Sequence, residues 1–221
     1  MALSLTTTKT DLHRALAVAK VAASADKSLP LLNALNLNVT DAGNLIVCGT
    51  DRYIAARVRL ATENFSYGDD VTEGRLTFAL QHVGLIQKWL TLVDKEVSVA
   101  VSHTAEHGLT VSAYGAPTLS GITPIEGTFP RIGKLFRSEE AVGEPDRAGA
   151  VVLAGRNVGK LGTIAGYCKN HTPVFLRPGP KTTNETNDLL FRFSDHNGVL
   201  VDGLVMGIRY PSDDHLTLHG L

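Results

Sequence analysis

The sequence has few cysteines, few aromatic residues, almost no net charge and no long apolar run. Two of its 221 residues are cysteines, 6% are aromatic, and the formal net charge is −1 with histidine neutral. Two cysteines make a poor disulfide framework, which favours a reducing compartment. A net charge near zero gives the surface as a whole no attraction for nucleic acid. Because no apolar run approaches the roughly 20 residues that cross a bilayer, and no apolar segment opens the chain, we expect a cytoplasmic protein without membrane contact.

Catalytic and metal-binding motifs are also missing. Residues 155–160 (GRNVGK) resemble a phosphate-binding loop, but the glycines are one residue too close and Leu161 replaces the magnesium-binding Ser or Thr. His103 and His107 have a spacing that converges on a helix, but they fall in a predicted strand and turn. We therefore expect no catalytic residues, no metal and no cofactor. A small enzyme on an unrelated α+β fold, using His103 or His196, is the less favoured alternative.

What the sequence does contain is one strand–helix pattern that occurs three times, at residues 3–19, 76–90 and 151–165. In each predicted helix, apolar side chains recur at i, i+3 and i+7, which places them on one buried face. On the second helix, Leu85 and Trp89 join that face. The predicted core positions are Leu12, Ala15 and Ala19, then Val83, Ile86 and Leu90, then Val158, Leu161 and Ala165.

Each helix is followed by segments that predict three strands. After the first helix, apolar and polar residues alternate in 35–39 and 54–60, with an apolar strand at 45–49 between them. After the third, Asn197-Gly198 favours a tight hairpin turn, and residues 178–188 are expected to form an exposed loop. The repeated unit is β-α-β-β-β. Short turns and one helix over one sheet face predict an α+β fold with antiparallel sheets.

The repeats also suggest how the chain is divided. Two units, 1–68 and 69–136, are expected to form one domain, and a single third unit covers 150–210. Residues 137–149 lack periodicity and are the candidate linker, and residues 211–221 form an unpatterned tail.

The polar faces of the three helices carry cations and few acidic residues. A solvated helix face is the ordinary interpretation for any one of them. Three equivalent cationic faces in a chain of net charge −1 favour contact with a phosphate backbone, which is independent of base sequence. The candidate DNA-binding residues are His13, Arg14, Lys20, Lys88, Lys95, Arg156 and Lys160.

Three segments resemble the sliding clamps of bacterial DNA polymerase III, its β subunits. Residues 49–55 (GTDRYIA) are similar to the step that follows a strand pair in those clamps. Residues 127–130 (GTFP) resemble the Gly-x-Phe-Pro motif that closes their middle domain, and residues 199–209 resemble their last strand. The order and spacing of the matches agree from residue 31 to residue 209, and the β-α-β-β-β unit corresponds to the half-domain of the family.

The resemblance implies a DNA clamp fold, with sheets outside and helices lining a ring around double-stranded DNA. It implies a non-enzymatic processivity factor with a replicative polymerase and a clamp loader as partners. By position, the family's peptide-binding pocket falls on Thr50, Tyr53, Ile54, Leu135, Phe136, Val205, Met206, Ile208 and Arg209. Apolar strand residues are equally typical of an ordinary sheet core.

The number of units sets this chain apart from the family, whose rings hold twelve half-domains. Three units per chain favour a homo-oligomeric tetramer in which the lone third units pair, with a trimer as the alternative. The short chain most resembles a form encoded by a bacteriophage. A clamp-like decoy or adaptor, which binds clamp partners without encircling DNA, is the alternative function.

Overall fold

The computed structural model describes residues 2–40, 42–67, 75–132, 153–168, 172–176, 189–194 and 200–207. The helices in these ranges are α1 (Lys9–Ala22), α2 (Leu80–Leu90) and α3 (Gly155–Tyr167). The strands are β1 (Ala2–Thr8), β2 (Ala34–Val39), β3 (Leu45–Thr50), β4 (Ile54–Leu60), β5 (Glu63–Tyr67), β6 (Arg75–Ala79), β7 (Ser98–Thr104), β8 (Gly108–Ala113), β9 (Leu119–Ile122), β10 (Thr172–Leu176), β11 (Leu189–Ser194) and β12 (Leu200–Val205). No helix in the described ranges has the length and apolar character needed to span a membrane.

The strands form two antiparallel sheets, as the sequence predicts. Their orders are β5-β1-β7-β8-β9 and β10-β11-β12-β4-β3-β2-β6. The first two units exchange strands: β1, which leads into α1, pairs with β7, and β6, which leads into α2, pairs with β2. Each unit therefore completes the sheet of the other, and the two form one interlocked pair.

The third unit extends the sheet of the first. Strand β12 pairs antiparallel with β4 over six residues, from Leu200 opposite Arg59 to Val205 opposite Ile54. The sequence predicts a strand before α3. Its two described residues, Leu153 and Ala154, belong to neither sheet. The predicted linker, the 178–188 loop and the tail lie outside the described residues.

Helix α1 begins where its sequence provides a cap. The Thr8 hydroxyl accepts a hydrogen bond from the Asp11 backbone N–H at 3.1 Å and donates to the Asp11 carboxylate at 2.8 Å. The acidic Asp11 in the first turn and the basic Lys20 in the last turn both suit the helix dipole. Helices α2 and α3 begin without a side-chain cap, so packing must supply more of their stability.

The three helices lie in one layer against the sheets, with α1 between α2 and α3. The predicted core positions of α1 and α2 are confirmed, because Leu12, Ala15, Ala19, Val83, Ile86 and Leu90 are all buried. Leu85 is an exception to the predicted face of α2. Its side chain is 49% exposed.

The predicted core face of α3 is confirmed in part, because Leu161 and Ala165 are partly buried against the core but Val158 is not. Val158 is 51% exposed, whereas Asn157 and Ile164 are buried. Lys160 on the same helix reaches the first unit, where its Nζ donates to the backbone oxygen of Ala23 at 3.2 Å.

Candidate functional site

The end of β3 is shaped by a glycine. A Cβ atom built on Gly49 would lie 2.0 Å from the backbone oxygen of Ala19 in α1, far inside van der Waals contact. Helix and strand backbones therefore touch at this point, and only glycine fits. The first residue of the Gly-Thr-Asp segment thus has a packing role.

The next residues form a tight turn that presents Tyr53. One oxygen of Asp51 accepts the backbone N–H groups of Tyr53 and Ile54, both at 2.9 Å. The Thr50 hydroxyl donates to the backbone oxygen of Ile54 at 2.9 Å and accepts the N–H of Arg52, which has a φ of 82°. Because the turn is held at both ends, the Tyr53 side chain points outward and is 46% exposed.

Two cations of α3 meet this turn. Lys160 Nζ lies 2.8 Å from the second oxygen of Asp51. The Arg156 guanidinium stacks over the Tyr53 ring, 4.5 Å from its centroid. Burial alone would raise the pKa of Asp51, but the hydrogen bonds from Lys160 and from two backbone N–H groups outweigh it and lower that pKa. Arg156 and Lys160, both predicted to bind DNA, thus hold α3 to the first unit.

The end of β12 lies beside the turn. Val205 is opposite Ile54, and the N–H of Met206 donates to the backbone oxygen of Tyr53 at 2.7 Å. The structure therefore brings together the five predicted pocket residues that it describes. Their roles differ, because Tyr53 and Met206 are exposed while Thr50, Ile54 and Val205 are buried beneath them. The other predicted pocket residues lie outside the described ranges: Leu135, Phe136, Ile208 and Arg209.

The exposed pair forms a small surface with a cation at its edge. Tyr53 and Met206 supply apolar area, and Arg156 supplies a positive charge. This combination can accept an apolar side chain and an acidic group of a short peptide.

A buried ion cluster fixes the same junction on the sheet face opposite the helices. Asp202 on β12 accepts hydrogen bonds from Arg57 on β4, at 2.9 and 3.1 Å, and from Arg192 on β11, at 2.6 Å. Both arginines stand directly opposite Asp202 in the sheet. This cluster was not predicted from the sequence, although an aspartate within an apolar strand was a detectable signal.

The remaining predicted DNA-binding residues lie on α1, on α2 or just after α2. Arg14 is half-buried, with Nη1 3.7 Å from the Asp11 carboxylate. Lys20 donates to Gln87 Oε1 at 3.1 Å, which links α1 to α2. The exposed members of this set are His13, Lys20, Lys88 and Lys95. In the described part of the helix layer they are the cations best placed for a phosphate backbone.

The histidines considered for metal or catalysis do not come together. His103 is buried on β7, where desolvation lowers its pKa, and His107 is exposed in the following turn. Among the described residues, no group of three or more metal-ligating side chains was found. His196 lies outside the described ranges.

Interlocked half-domains, with antiparallel sheets on one side and helices on the other, define the class of DNA clamps. The fold is that of the sliding clamp, the β subunit of bacterial DNA polymerase III. A β subunit from Thermotoga maritima superposes with a TM-score of 0.64 at 14% identity, covering 98% of this chain and 68% of that one. One from Pseudomonas aeruginosa superposes with a TM-score of 0.68 at 14% identity, covering 94% and 66%.

A sliding clamp from Bartonella birtlesii, bound to griselimycin, superposes with a TM-score of 0.62 at 17% identity and covers 94% of this chain and 66% of that one. The chain thus spans about two thirds of the length of these structures. No family model and no curated protein sequence matches it. At such low identities, the likeness establishes the fold.

Proposed function

We propose that the protein is a DNA polymerase processivity factor that closes as a homo-oligomeric ring around double-stranded DNA. It catalyses no reaction, acts in the cytoplasm, and is opened on DNA by a clamp loader. The observation that carries the proposal is the continuation of one sheet across units through β4 and β12. A sheet that crosses unit boundaries, with helices on one side, is what a ring wall requires. The likeness to sliding clamps supports the same role.

The DNA-facing surface is the helix layer. We assign Lys20, Lys88, Lys95 and His13 to direct phosphate contact, with Arg14 beside them. Arg156 and Lys160 add to the positive electrostatic potential of this surface, but their nearest partners are Tyr53 and Asp51. Diffuse cations suit a ring that must slide, because phosphate contacts hold DNA without reading its sequence.

The ring is tested by topology. The protein is diluted to separate its subunits, mixed with nicked circular DNA and concentrated so that rings close. A clamp stays on the circle at high salt and is lost when the circle is linearised. A decoy or adaptor that does not encircle DNA shows no difference between circular and linear DNA, and that result would reject the proposed function.

The DNA face is tested by charge reversal. The double variant Lys20→Glu, Lys88→Glu should make the salt dependence of DNA binding weaker. The negative slope of log affinity against log salt concentration should shrink in magnitude by about two, because each lost phosphate contact removes about 0.9 from it. Arg131→Glu is the matched control for each of the two lysine reversals made singly, because it changes the net charge by the same amount. Arg131 is exposed and lies between Phe129 and Ile132, which pack on the sheet face opposite the helices. An equal effect of Arg131→Glu would show that net charge, and not the helix layer, governs binding.

We also propose that a polymerase peptide binds at Tyr53 and Met206. Tyr53→Ala should weaken binding of short polymerase-derived peptides about tenfold, since an exposed aromatic anchor of this kind carries about 1.4 kcal/mol or more. Tyr114→Ala is the control, because Tyr114 is 92% exposed and lies in the turn after β8. Fluorescence anisotropy measures both variants. Equal affinities for the two would place the peptide elsewhere.

A further inference from the structure

The larger sheet carries an unbalanced group of charges on its outer face, the face that points away from the helices. Strands β3, β4, β11 and β12 contain four charged residues, Arg57, Arg59, Arg192 and Asp202. Arg57 and Arg192 stand opposite Asp202 in the sheet. Arg59 follows Arg57 by two residues on β4, so it projects from the same face. Three positive charges and one negative charge therefore share this face, which leaves an excess of two positive charges.

Asp202 does not pair with Arg59. Its Oδ2 accepts hydrogen bonds from Nε and Nη2 of Arg57, at 3.1 and 2.9 Å. Its Oδ1 accepts from Nε of Arg192 at 2.6 Å. Both carboxylate oxygens thus already bind other arginines, and the four strands contain no second acidic residue.

The surroundings of Arg59 are unfavourable for an unpaired cation. The residues directly opposite it are apolar, Ile46 on β3 and Leu200 on β12. Its side chain is half-buried, and its Nε is enclosed by protein with no hydrogen-bond partner in the described part of the chain. Neither terminal nitrogen is enclosed in this way, so the guanidinium reaches solvent at its outer end. An enclosed donor on a charged group lowers stability unless a counter-ion or ligand compensates it.

We propose that the outer sheet face holds a binding site for a phosphate dianion, centred on Arg59. The ligand is inorganic phosphate or the phosphoryl group of a monoester. Arg57 and Arg192 contribute positive charge, and their hydrogen bonds to Asp202 hold them in place. The Cα atoms of Arg57 and Arg59 are about 7 Å apart along the strand, which allows one anion to lie between the two side chains.

The number and kind of cations favour phosphate over a carboxylate. A phosphate dianion neutralises the whole excess of two positive charges, whereas a carboxylate neutralises half of it. Guanidinium groups present their donors as a planar fork that matches a pair of phosphate oxygens. A nucleic acid strand is a poorer match, because each of its phosphodiesters carries a single charge.

The site is separate from the proposed DNA-binding surface. Ala56 and Val58, which alternate with the two arginines on β4, are buried in the core on the side of the helices. Lys20 and Lys88 lie in the helix layer on that side. The sheet therefore stands between the two surfaces, and the phosphate site does not depend on the proposed clamp function.

The test is isothermal titration calorimetry of inorganic phosphate into the full chain, with sodium chloride holding the ionic strength constant. Wild-type protein should bind one phosphate per chain. Arg59→Gln should weaken that binding about tenfold or more, because it removes both the charge and the fork of donors. Arg59→Lys keeps the charge and should weaken binding less. Arg131→Gln is the control, because Arg131 is exposed beside Phe129 on the same side of the sheet and should bind phosphate like the wild type.

Two further ligands define the chemistry of the site. Acetate, with one negative charge, should bind more weakly than phosphate, and equal affinities would overturn the assignment of a dianion. Methyl phosphate distinguishes the two sources of phosphate. Binding of methyl phosphate as well as inorganic phosphate would support the site and indicate a phosphoryl group on a larger molecule. Binding of inorganic phosphate alone would support the site and indicate the free ion.

Urea denaturation without phosphate separates binding from folding. Arg59→Gln should keep or raise the midpoint, because its enclosed Nε has no partner to lose, whereas an arginine required for the fold would lower it. The variant Lys20→Glu, Lys88→Glu should bind phosphate like the wild type. Three results would each overturn the proposal: no phosphate binding at constant ionic strength, equal binding by Arg59→Gln, or loss of binding in the lysine variant.

Discussion

Replacing Asp202 by asparagine is expected to loosen the junction between the first and third units. The aspartate side chain is 6% exposed and accepts three hydrogen bonds from Arg57 and Arg192. Asparagine keeps the shape but loses the charge, and its amide N–H₂ faces a guanidinium that also only donates. Both arginines then lose an anionic partner on the same sheet face.

The expected cost is about 2 kcal/mol in the free energy of unfolding. Hydrogen bonds to a charged group contribute about 1.5–3 kcal/mol, and breaking a fully buried ion pair costs about 3–5 kcal/mol. The lower value is expected because the arginine side chains are 19% and 21% exposed, so water partly replaces the lost carboxylate. For a chain of this size, that corresponds to a melting temperature lower by about 4–8 °C.

Urea denaturation measures the total effect, and amide hydrogen exchange locates it. Exchange should accelerate in β11 and β12, which carry the cluster, and stay unchanged in β7 and β8 of the other sheet. Glu106→Gln is the control, because Glu106 is 83% exposed and its contact with His107 is 3.8 Å long. A loss below about 0.5 kcal/mol, or equal acceleration in both sheets, would refute the role assigned to Asp202.

Gly49→Ala should lower the free energy of unfolding by about 3 kcal/mol or more, because the new Cβ would overlap the backbone oxygen of Ala19. Gly84→Ala is the comparison, because the space around Gly84 is open and alanine should stabilise α2 by up to about 1 kcal/mol. Thermal melts measure both variants. Similar melting temperatures for the two variants would contradict the close approach of helix and strand. The lowered pKa of Asp51 implies stability that is complete above the unfolded value of about 3.8 and is lost as the pH falls below it. Asp51→Asn should remove that acid-dependent part of urea stability, and an unchanged pH profile would show that the pair with Lys160 contributes nothing.

Local patterns predicted the regular elements of this fold well. The strict alternation at β2 and β4 and the helical periodicity of Leu12 and Val83 reflect a single buried face, so short windows contain the needed information. The α+β class and antiparallel sheets follow from these elements and are confirmed.

The orientation of α3 could not be predicted in the same way. Its apolar positions fit more than one helix face, since glycines occupy much of the helix and give no preference. Lys160 of this helix pairs with Asp51, about a hundred residues earlier, and such a distant partner is not visible in a local pattern. The cationic face of α3 that indicated DNA contact therefore includes a lysine, Lys160, that forms an ion pair within the protein.

The peptide surface was predicted by resemblance and stays a proposal. The structure places Tyr53 beside Met206, whose backbone N–H donates to the backbone oxygen of Tyr53. The buried cluster at Asp202 was missed because its members are brought together by the register of three strands. Local sequence does not encode that register.

The exchange of β1 and β6 has a consequence for synthesis of the chain. When a ribosome has made only the first unit, β1 lacks β7 and β2 lacks β6, so both strand edges stay open until the second unit emerges. Closing them requires contacts between residues 90 to 102 positions apart for β1 with β7 and 37 to 45 positions apart for β2 with β6, which is slow compared with local pairing. During that interval, open edges can pair with other nascent chains. Production at high expression levels should therefore benefit from slow translation or from chaperones that cover strand edges.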